Sequence, residues 1–177
     1  DDLTLIQQKA AAILNNNLYV FDVNPAYRMP GGGRRGGGGG FDPGAFRNAG
    51  MNPSNGVVMN YFLKTVMDST KLSIEILDKN KKSIKVFSTS SKENKIDLEK
   101  GINQFEWDMN YSQAEKVEGL ILWNGFVGGP KAAPGNYFAK FKSGNDSTEV
   151  PFTIVADPNY KTSQAEYEEQ FNHLITI

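Results

Sequence analysis

A regular alternation of apolar and polar residues, repeated in short runs between residues 57 and 155, constrains the fold of this chain most. Successive side chains of a β-strand lie on opposite faces, so each run predicts a strand with one buried face. The residues predicted to point inward are Val57, Met59, Tyr61, Leu63, Leu72, Ile74, Ile76, Ile84, Val86, Phe105, Trp107, Met109, Tyr137, Ala139, Phe141, Val150, Phe152 and Ile154. The turn-forming residues between the runs are Asp78, Asn80, Gly101, Gly144 and Asn145. The pattern predicts an all-β, antiparallel β-sandwich over residues 56–157.

Two segments precede the predicted sandwich. In residues 1–30, apolar residues spaced from Leu3 to Leu14 favour one or two helical turns, and residues 18–23 favour a strand. Residues 31–55 begin with eight glycines around Arg34 and Arg35, which predicts a Gly-rich linker. Arg-Gly tracts also occur in RNA-binding segments, but a single Arg pair without interleaved aromatic residues favours a tether.

The last region, residues 158–177, predicts a tail with a short C-terminal helix. Ser163 stands at the position of an N-cap and Glu166 follows three residues later, which is the pattern of a capping box. Tyr167, Phe171 and Leu174 share one face of this predicted helix.

Composition limits the class of function. The sequence has 11 Phe, 7 Tyr and 2 Trp, enough for one core, and a formal net charge of −1. This charge creates no long-range field that attracts nucleic acid, so we expect no nucleic-acid partner. No apolar run approaches the roughly 20 residues of a membrane span, so we expect no membrane insertion. Cysteine is absent, which excludes disulfides and thiol chemistry.

Few residues are candidates for chemistry. His173 is the only histidine and lies near the end of the predicted helix, where we expect a surface residue rather than a catalytic base. Carboxylate pairs at Asp97 and Glu99, and at Glu106 and Asp108, have the spacing of a weak calcium site. The same spacing is typical of a solvated strand face, which we favour. We therefore predict no catalytic residue, no metal site and no cofactor.

An aromatic cluster is the candidate contact surface. Trp123, Phe126 and Tyr111 lie in a long connection over residues 110–134, which also contains an apolar strand-like run at residues 120–123. Exposed aromatic residues in such a loop could form a platform for a sugar ring or a protein partner. Trp123 could equally be a core or rim residue.

Three segments of the chain together resemble the Ig-like domain first described in the flagellar hook-assembly protein and common in bacterial secreted proteins. The residues that carry the resemblance are Ile74, Ile76, Asp78, Gly101, Asn103, Phe105, Trp107, Asp108, Pro134, Gly135 and Tyr137. The resemblance implies an Ig-like, fibronectin-III-like sandwich in which Pro134-Gly135 forms a turn and the Tyr137 hydroxyl caps a corner. The chain departs from that pattern in the long insert between Asp108 and Pro134.

A second resemblance covers nearly the whole chain. Residues 1–4, 18–21, 25–28, 55–58, 128–130 and 134–135 are similar to the C-terminal portion of large secreted Bacteroidetes proteins. Those proteins carry an N-terminal sialidase-like or sortilin-like β-propeller and are often labelled glycosyl hydrolases. The resemblance implies that residues 1–30 leave the propeller and that the chain is secreted, periplasmic or at the cell surface. It carries over no catalytic residue, because the propeller lies outside this sequence.

Three functions follow as expectations. The first is a non-catalytic accessory domain of a secreted or cell-surface propeller protein, with the propeller as its partner. In that case the apolar face formed by Leu3, Ile6, Leu18, Val20 and Phe21 should be buried against neighbouring structure, in this chain or another. The second is a carbohydrate-binding module that uses Trp123, Phe126 and Tyr111. The third is a part of a glycoside hydrolase whose active site lies outside this chain. A glycosidase in its own right would instead need two carboxylates about 5–10 Å apart in a cleft.

Overall fold

The computed structural model describes residue 13 and residues 16–29, 54–67, 70–112 and 128–176. Within them the elements are β1 (Leu18–Val20), β2 (Ala26–Arg28), β3 (Val57–Leu63), β4 (Leu72–Leu77), β5 (Ser83–Ser88), β6 (Gly101–Trp107), β7 (Gly135–Ser143), β8 (Asp146–Ala156) and α1 (Gln164–Ile175). Nearly all of the predicted Gly-rich linker and of the predicted N-terminal helical turns lies outside the described residues. Among the described residues, no helix has the length and hydrophobicity that crossing a membrane requires.

The strands form two sheets that share one core. The smaller sheet has the order β1-β3-β6, and its strand pairs are antiparallel. The larger sheet has the order β2-β8-β7-β4-β5, and it is antiparallel except that β2 runs parallel to β8. Side chains from both sheets meet in a single hydrophobic cluster. The prediction of an all-β fold with a short C-terminal helix is therefore confirmed.

The predicted inward faces are buried with one exception. Trp107 has no exposed surface and lies at the centre of the core, with its ring 6.1 Å from that of Tyr137 and 6.0 Å from that of Phe152. Both contacts are edge-to-face, which is a favourable geometry for aromatic pairs. Trp107 on β6 thereby joins the smaller sheet to β7 and β8 of the larger one.

The prediction that Val86 points inward is wrong, because a β-bulge interrupts the alternation on β5. The register between β4 and β5 shifts between Ile76 and Leu77. Beyond the shift, Val86 lies opposite Glu75 and is 47% exposed. Phe87 takes the inward position instead, and its ring lies 4.8 Å from that of Phe105. A bulge adds one residue to one strand, so a strict period of two cannot anticipate it.

Residues near the N-terminus supply one strand to each sheet. Leu18 and Val20 are buried in the pair between β1 and β3, and the N–H of the buried Phe21 donates to the Asn60 carbonyl oxygen at 3.0 Å. After this point the chain crosses to the larger sheet, where Tyr27 lies opposite Val155. The predicted strand over residues 18–23 ends at Val20, and β2 follows it. The expected burial is confirmed within this chain for Leu18, Val20 and Phe21, while Leu3 and Ile6 lie outside the described residues.

Two turns have the geometry that their residues favour. Ser143 and Asp146 pair across the β7–β8 hairpin, so Gly144 and Asn145 form a two-residue loop in which Gly144 has a φ of 58°. Glycine adopts this left-handed backbone at little cost, which fixes the register of the two longest strands. In the β4–β5 loop, the Asp78 carboxylate accepts hydrogen bonds from the backbone N–H of Asn80 and from that of Lys82, both at 2.8 Å.

Candidate functional site: the groove beside the C-terminal helix

Helix α1 begins with the capping box that the sequence predicts. The Ser163 hydroxyl accepts a hydrogen bond from the Glu166 N–H at 3.3 Å, and the Glu166 carboxylate accepts one from the Ser163 N–H at 2.6 Å. These bonds satisfy backbone donors that the first turn of a helix leaves without partners. The Ser163 N–H and the Ser163 hydroxyl both donate to the Glu166 carboxylate, at 2.6 and 2.8 Å. Because these donors favour its charged form, they lower the pKa of the Glu166 carboxyl.

Side chains of the N-terminal and middle turns of α1 pack the helix on the two sheets. Gln164 Nε2 donates to the Pro134 carbonyl oxygen at 2.8 Å. One turn later Tyr167 is buried, and Phe171 packs on Tyr111 with the ring centroids 4.7 Å apart. Of the three residues predicted to share a face, Tyr167 is buried, Phe171 is half-buried and Leu174 is exposed. The helix therefore packs through its N-terminal and middle turns.

Arg28 at the end of β2 connects three parts of the structure. Its Nε donates to the Ala132 carbonyl oxygen at 2.9 Å, and its Nη2 donates to Gln170 Oε1 at 3.2 Å. The guanidinium also lies over the Tyr167 ring, 4.8 Å from the centroid. A planar guanidinium makes such divided contacts in one fixed orientation, which lysine does not reproduce. Arg28 thus holds α1 against β2 and the segment that precedes β7.

A groove of about 570 Å³ lies between α1 and the turn that follows β8. We call it the helix groove, and its lining residues are Arg28, Asp157, Tyr160, Lys161, Thr162, Glu166, Tyr167 and Gln170. Asp157 forms the floor and is only 4% exposed. Its Oδ1 accepts from the Asn159 N–H and from Asn159 Nδ2, both at 2.9 Å. The Asp157 carbonyl oxygen accepts from the Tyr160 N–H at 3.2 Å, which sets the 56%-exposed Tyr160 at the rim.

The predicted aromatic platform is described only in part. Trp123 and Phe126 lie outside the described residues, and their predicted role stays a prediction. Tyr111 is half-buried against Phe171, and burial raises the pKa of its phenol. Its N–H donates to the Pro130 carbonyl oxygen at 3.0 Å, which helps to close the base of the long insert.

The other candidate residues have no partners that suggest catalysis or metal binding. His173 is exposed on α1. Asp97 is exposed and forms an ion pair with Lys95 at 2.9 Å, while Asp108 accepts from the Asn110 N–H at 3.0 Å. In the part of the chain that the structure describes, no group of three or more His, Asp or Glu residues could hold a metal ion.

Sequence reasoning missed the residues that form the helix groove. The residues at 157–160, Asp-Pro-Asn-Tyr, carried a usable signal, because Asp and Pro directly after a strand favour a turn whose carboxylate binds nearby N–H groups. Arg28 gave no local signal, since its partners are far away in sequence. Comparison of the chain with family models, with curated proteins and with solved structures gives no match.

Proposed function

We propose that this chain is a non-catalytic interaction domain of a larger secreted or cell-surface protein. Its fold is then of the Ig-like, fibronectin-III-like type, and its partner is the β-propeller that the sequence resemblance implies. The observation that carries the proposal is the way residues 18–28 enter the fold. They supply β1 to one sheet and β2 to the other, so the chain from the N-terminal side is fixed to both sheets. Because this segment is held by both sheets, a domain attached before it would be held in a fixed position relative to this fold.

Three features support the Ig-like assignment. Strands distant in sequence are neighbours in both sheets, as in the Greek-key connections of Ig-like sandwiches. The Tyr137 hydroxyl near the start of β7 donates to the Ala133 carbonyl oxygen four residues upstream, at 2.7 Å. This contact has the form of the tyrosine corner of Ig-like domains. The buried Trp107 between the sheets is a third point of similarity.

The outer face of the smaller sheet is the surface that best fits a protein partner. Tyr19 lies opposite Phe62, and Phe62 lies opposite Ile102, so the three side chains form an apolar row across all three strands. Ile102 is 57% exposed. An apolar row that starts on β1 lies next to the point where the chain enters the fold, which is where a preceding propeller would be.

Binding in trans tests this proposal. The preceding propeller region of the same polypeptide would be prepared separately and titrated with this chain by calorimetry. We expect a complex that Ile102→Lys weakens and Gln104→Lys does not, because both side chains lie on the outer face of β6 but only Ile102 belongs to the apolar row. We also expect no release of sugar from chromogenic glycosides by this chain alone. Absence of a complex, or equal binding by both variants, would overturn the proposed surface.

A further inference from the structure

We propose that the helix groove is a binding site for a neutral carbohydrate ring. This site differs from the predicted aromatic platform and does not depend on the propeller partner proposed above. The volume of the groove, about 570 Å³, lies within the roughly 300–1,000 Å³ range of small-ligand sites. Three of its side chains, Asp157, Arg28 and Tyr160, are placed to contact the hydroxyl groups and the C–H face of a sugar.

Asp157 gives the first indication that the groove takes a ligand. The residue is 4% exposed and lines the groove, and both hydrogen bonds to its carboxylate use Oδ1. Oδ2 therefore has no hydrogen-bond partner within the described residues. No fully buried side-chain oxygen among the described residues lacks a partner, so Oδ2 is accessible to solvent, and a ligand hydroxyl group in the groove can donate to it. Because Asn159 fixes the carboxylate, no rearrangement is needed before the ligand binds.

Arg28 supplies donors on the other side of the groove. Its Nε and Nη2 are occupied by Ala132 and Gln170, and Nη1 has no hydrogen bond among the described residues. The stacking of the guanidinium on Tyr167 keeps the remaining N–H groups in a fixed direction. Sugar hydroxyl groups both donate and accept, so one ring can bind to Asp157 and Arg28 together.

The charges of the groove favour a neutral ligand. Arg28 and Lys161 are cationic, and Asp157 and Glu166 are anionic, so the formal charges of the lining residues cancel. A phosphate or an acidic sugar would meet a buried carboxylate, which disfavours it. A hydroxylated ring without charge has no such penalty.

Tyr160 supplies the apolar contact. The hydrogen bond from its N–H to the Asp157 carbonyl oxygen places the residue next to the carboxylate, and its side chain is 56% exposed at the rim. Aromatic rings present an apolar face with a polar edge, which suits the C–H face of a pyranose. Tyr27 has similar exposure, 51%, but does not line the groove, so it is a matched control.

Affinity electrophoresis of the full chain tests the site. The gels would contain mannan, xylan, mixed-linkage β-glucan or galactan, with polygalacturonate as the acidic comparison. We expect at least one neutral polysaccharide to retard the chain. Asp157→Asn should weaken that binding by about tenfold or more, the equivalent of one lost hydrogen bond to a charged group. Tyr160→Ala, which removes the aromatic contact with the sugar, should weaken it by about tenfold. Tyr27→Ala should bind as the parent chain does.

Thermal unfolding of each variant shows whether it folds, and Tyr160→Ala keeps the test valid if Asp157→Asn does not. Retardation by none of the neutral polysaccharides would overturn the proposal. So would full binding by Tyr160→Ala, or retardation by polygalacturonate alone. None of these results bears on the proposed complex with the propeller, which uses a different face.

Discussion

The Tyr137 hydroxyl donates a 2.7 Å hydrogen bond to the carbonyl oxygen of Ala133, and both residues are buried. This bond closes the corner through which the chain enters β7. The Tyr137 ring also packs edge-to-face on Trp107 and stacks on Phe152. One side chain therefore joins the corner to the centre of the core.

Removal of this hydroxyl tests its role in stability. Tyr137→Phe leaves the ring in place but deprives the buried Ala133 carbonyl oxygen of its donor, so we expect a loss of about 1–3 kcal/mol in the free energy of unfolding. Denaturant unfolding measures it. The control Tyr160→Phe changes an exposed phenol and should shift the free energy by no more than about 0.5 kcal/mol. Equal free energies of unfolding for the two variants would contradict a stabilising role of the hydrogen bond between Tyr137 and Ala133.

The buried phenols predict a loss of stability at alkaline pH. Burial raises the pKa of Tyr61 and of Tyr137 from 10.0 to about 12, and the Asp78 charge adds to the shift at Tyr137. A folded-state pKa above the unfolded value stabilises the fold below pH 10, and this contribution disappears as the pH rises from 10 towards 12. Unfolding midpoints across this range, with the absorbance of tyrosinate, measure the effect. Unfolding midpoints that stay constant across this pH range would contradict the prediction.

The capping box predicts the opposite dependence at acid pH. The pKa of Glu166 is lowered from 4.5 by its hydrogen bonds from Ser163, so the contribution of the pair is present above that value. It is lost as the pH falls through the lower folded-state pKa. The protection factors of the amides in the first turn of α1, which correct for the pH dependence of the chemical exchange rate, should fall there. Ser163→Ala should already exchange fast at neutral pH, and an unchanged rate in that variant would count against the cap.

The contacts of Arg28 predict that α1 separates from the fold when they are lost. Arg28→Lys keeps the charge but loses the divided hydrogen bonds and the stacking on Tyr167, so we expect about 1–2 kcal/mol lower stability and faster proteolysis before α1. Limited proteolysis followed by mass spectrometry locates the cuts. Lys142→Arg, on the solvent-facing side of β7, is the matched control and should be cut at the parent rate. An Arg28→Lys chain as resistant as the parent would show that other contacts hold the helix.

Much of the fold could be predicted because burial follows the pleat of the strands. Trp107 and Phe141 alternate with charged neighbours on long strands, and both are buried. The prediction that Val86 points inward is wrong because a bulge in the β4–β5 pair adds a residue that alternation alone does not reveal. The three-residue strands β1 and β2 are too short for periodicity to assign them to a sheet.

The helix groove could not be predicted, because its geometry comes from tertiary packing. Ser163 and Glu166 revealed the start of α1, since a capping box is local in sequence. The groove lies beside the docked helix α1, and Arg28 helps to hold that helix through Gln170, which is 142 residues away. A pattern of local spacing contains no information about such a contact.

Differential scanning calorimetry of the proposed propeller neighbour, alone and joined to this chain, tests the central claim most directly. If this chain positions its neighbour, the joined protein should unfold with the propeller transition raised by at least about 2–4 °C, the shift that roughly 1 kcal/mol produces in a domain of 150–250 residues. Ile102→Lys in the joined protein should remove most of that gain. Two transitions at the temperatures of the separate parts would contradict the account.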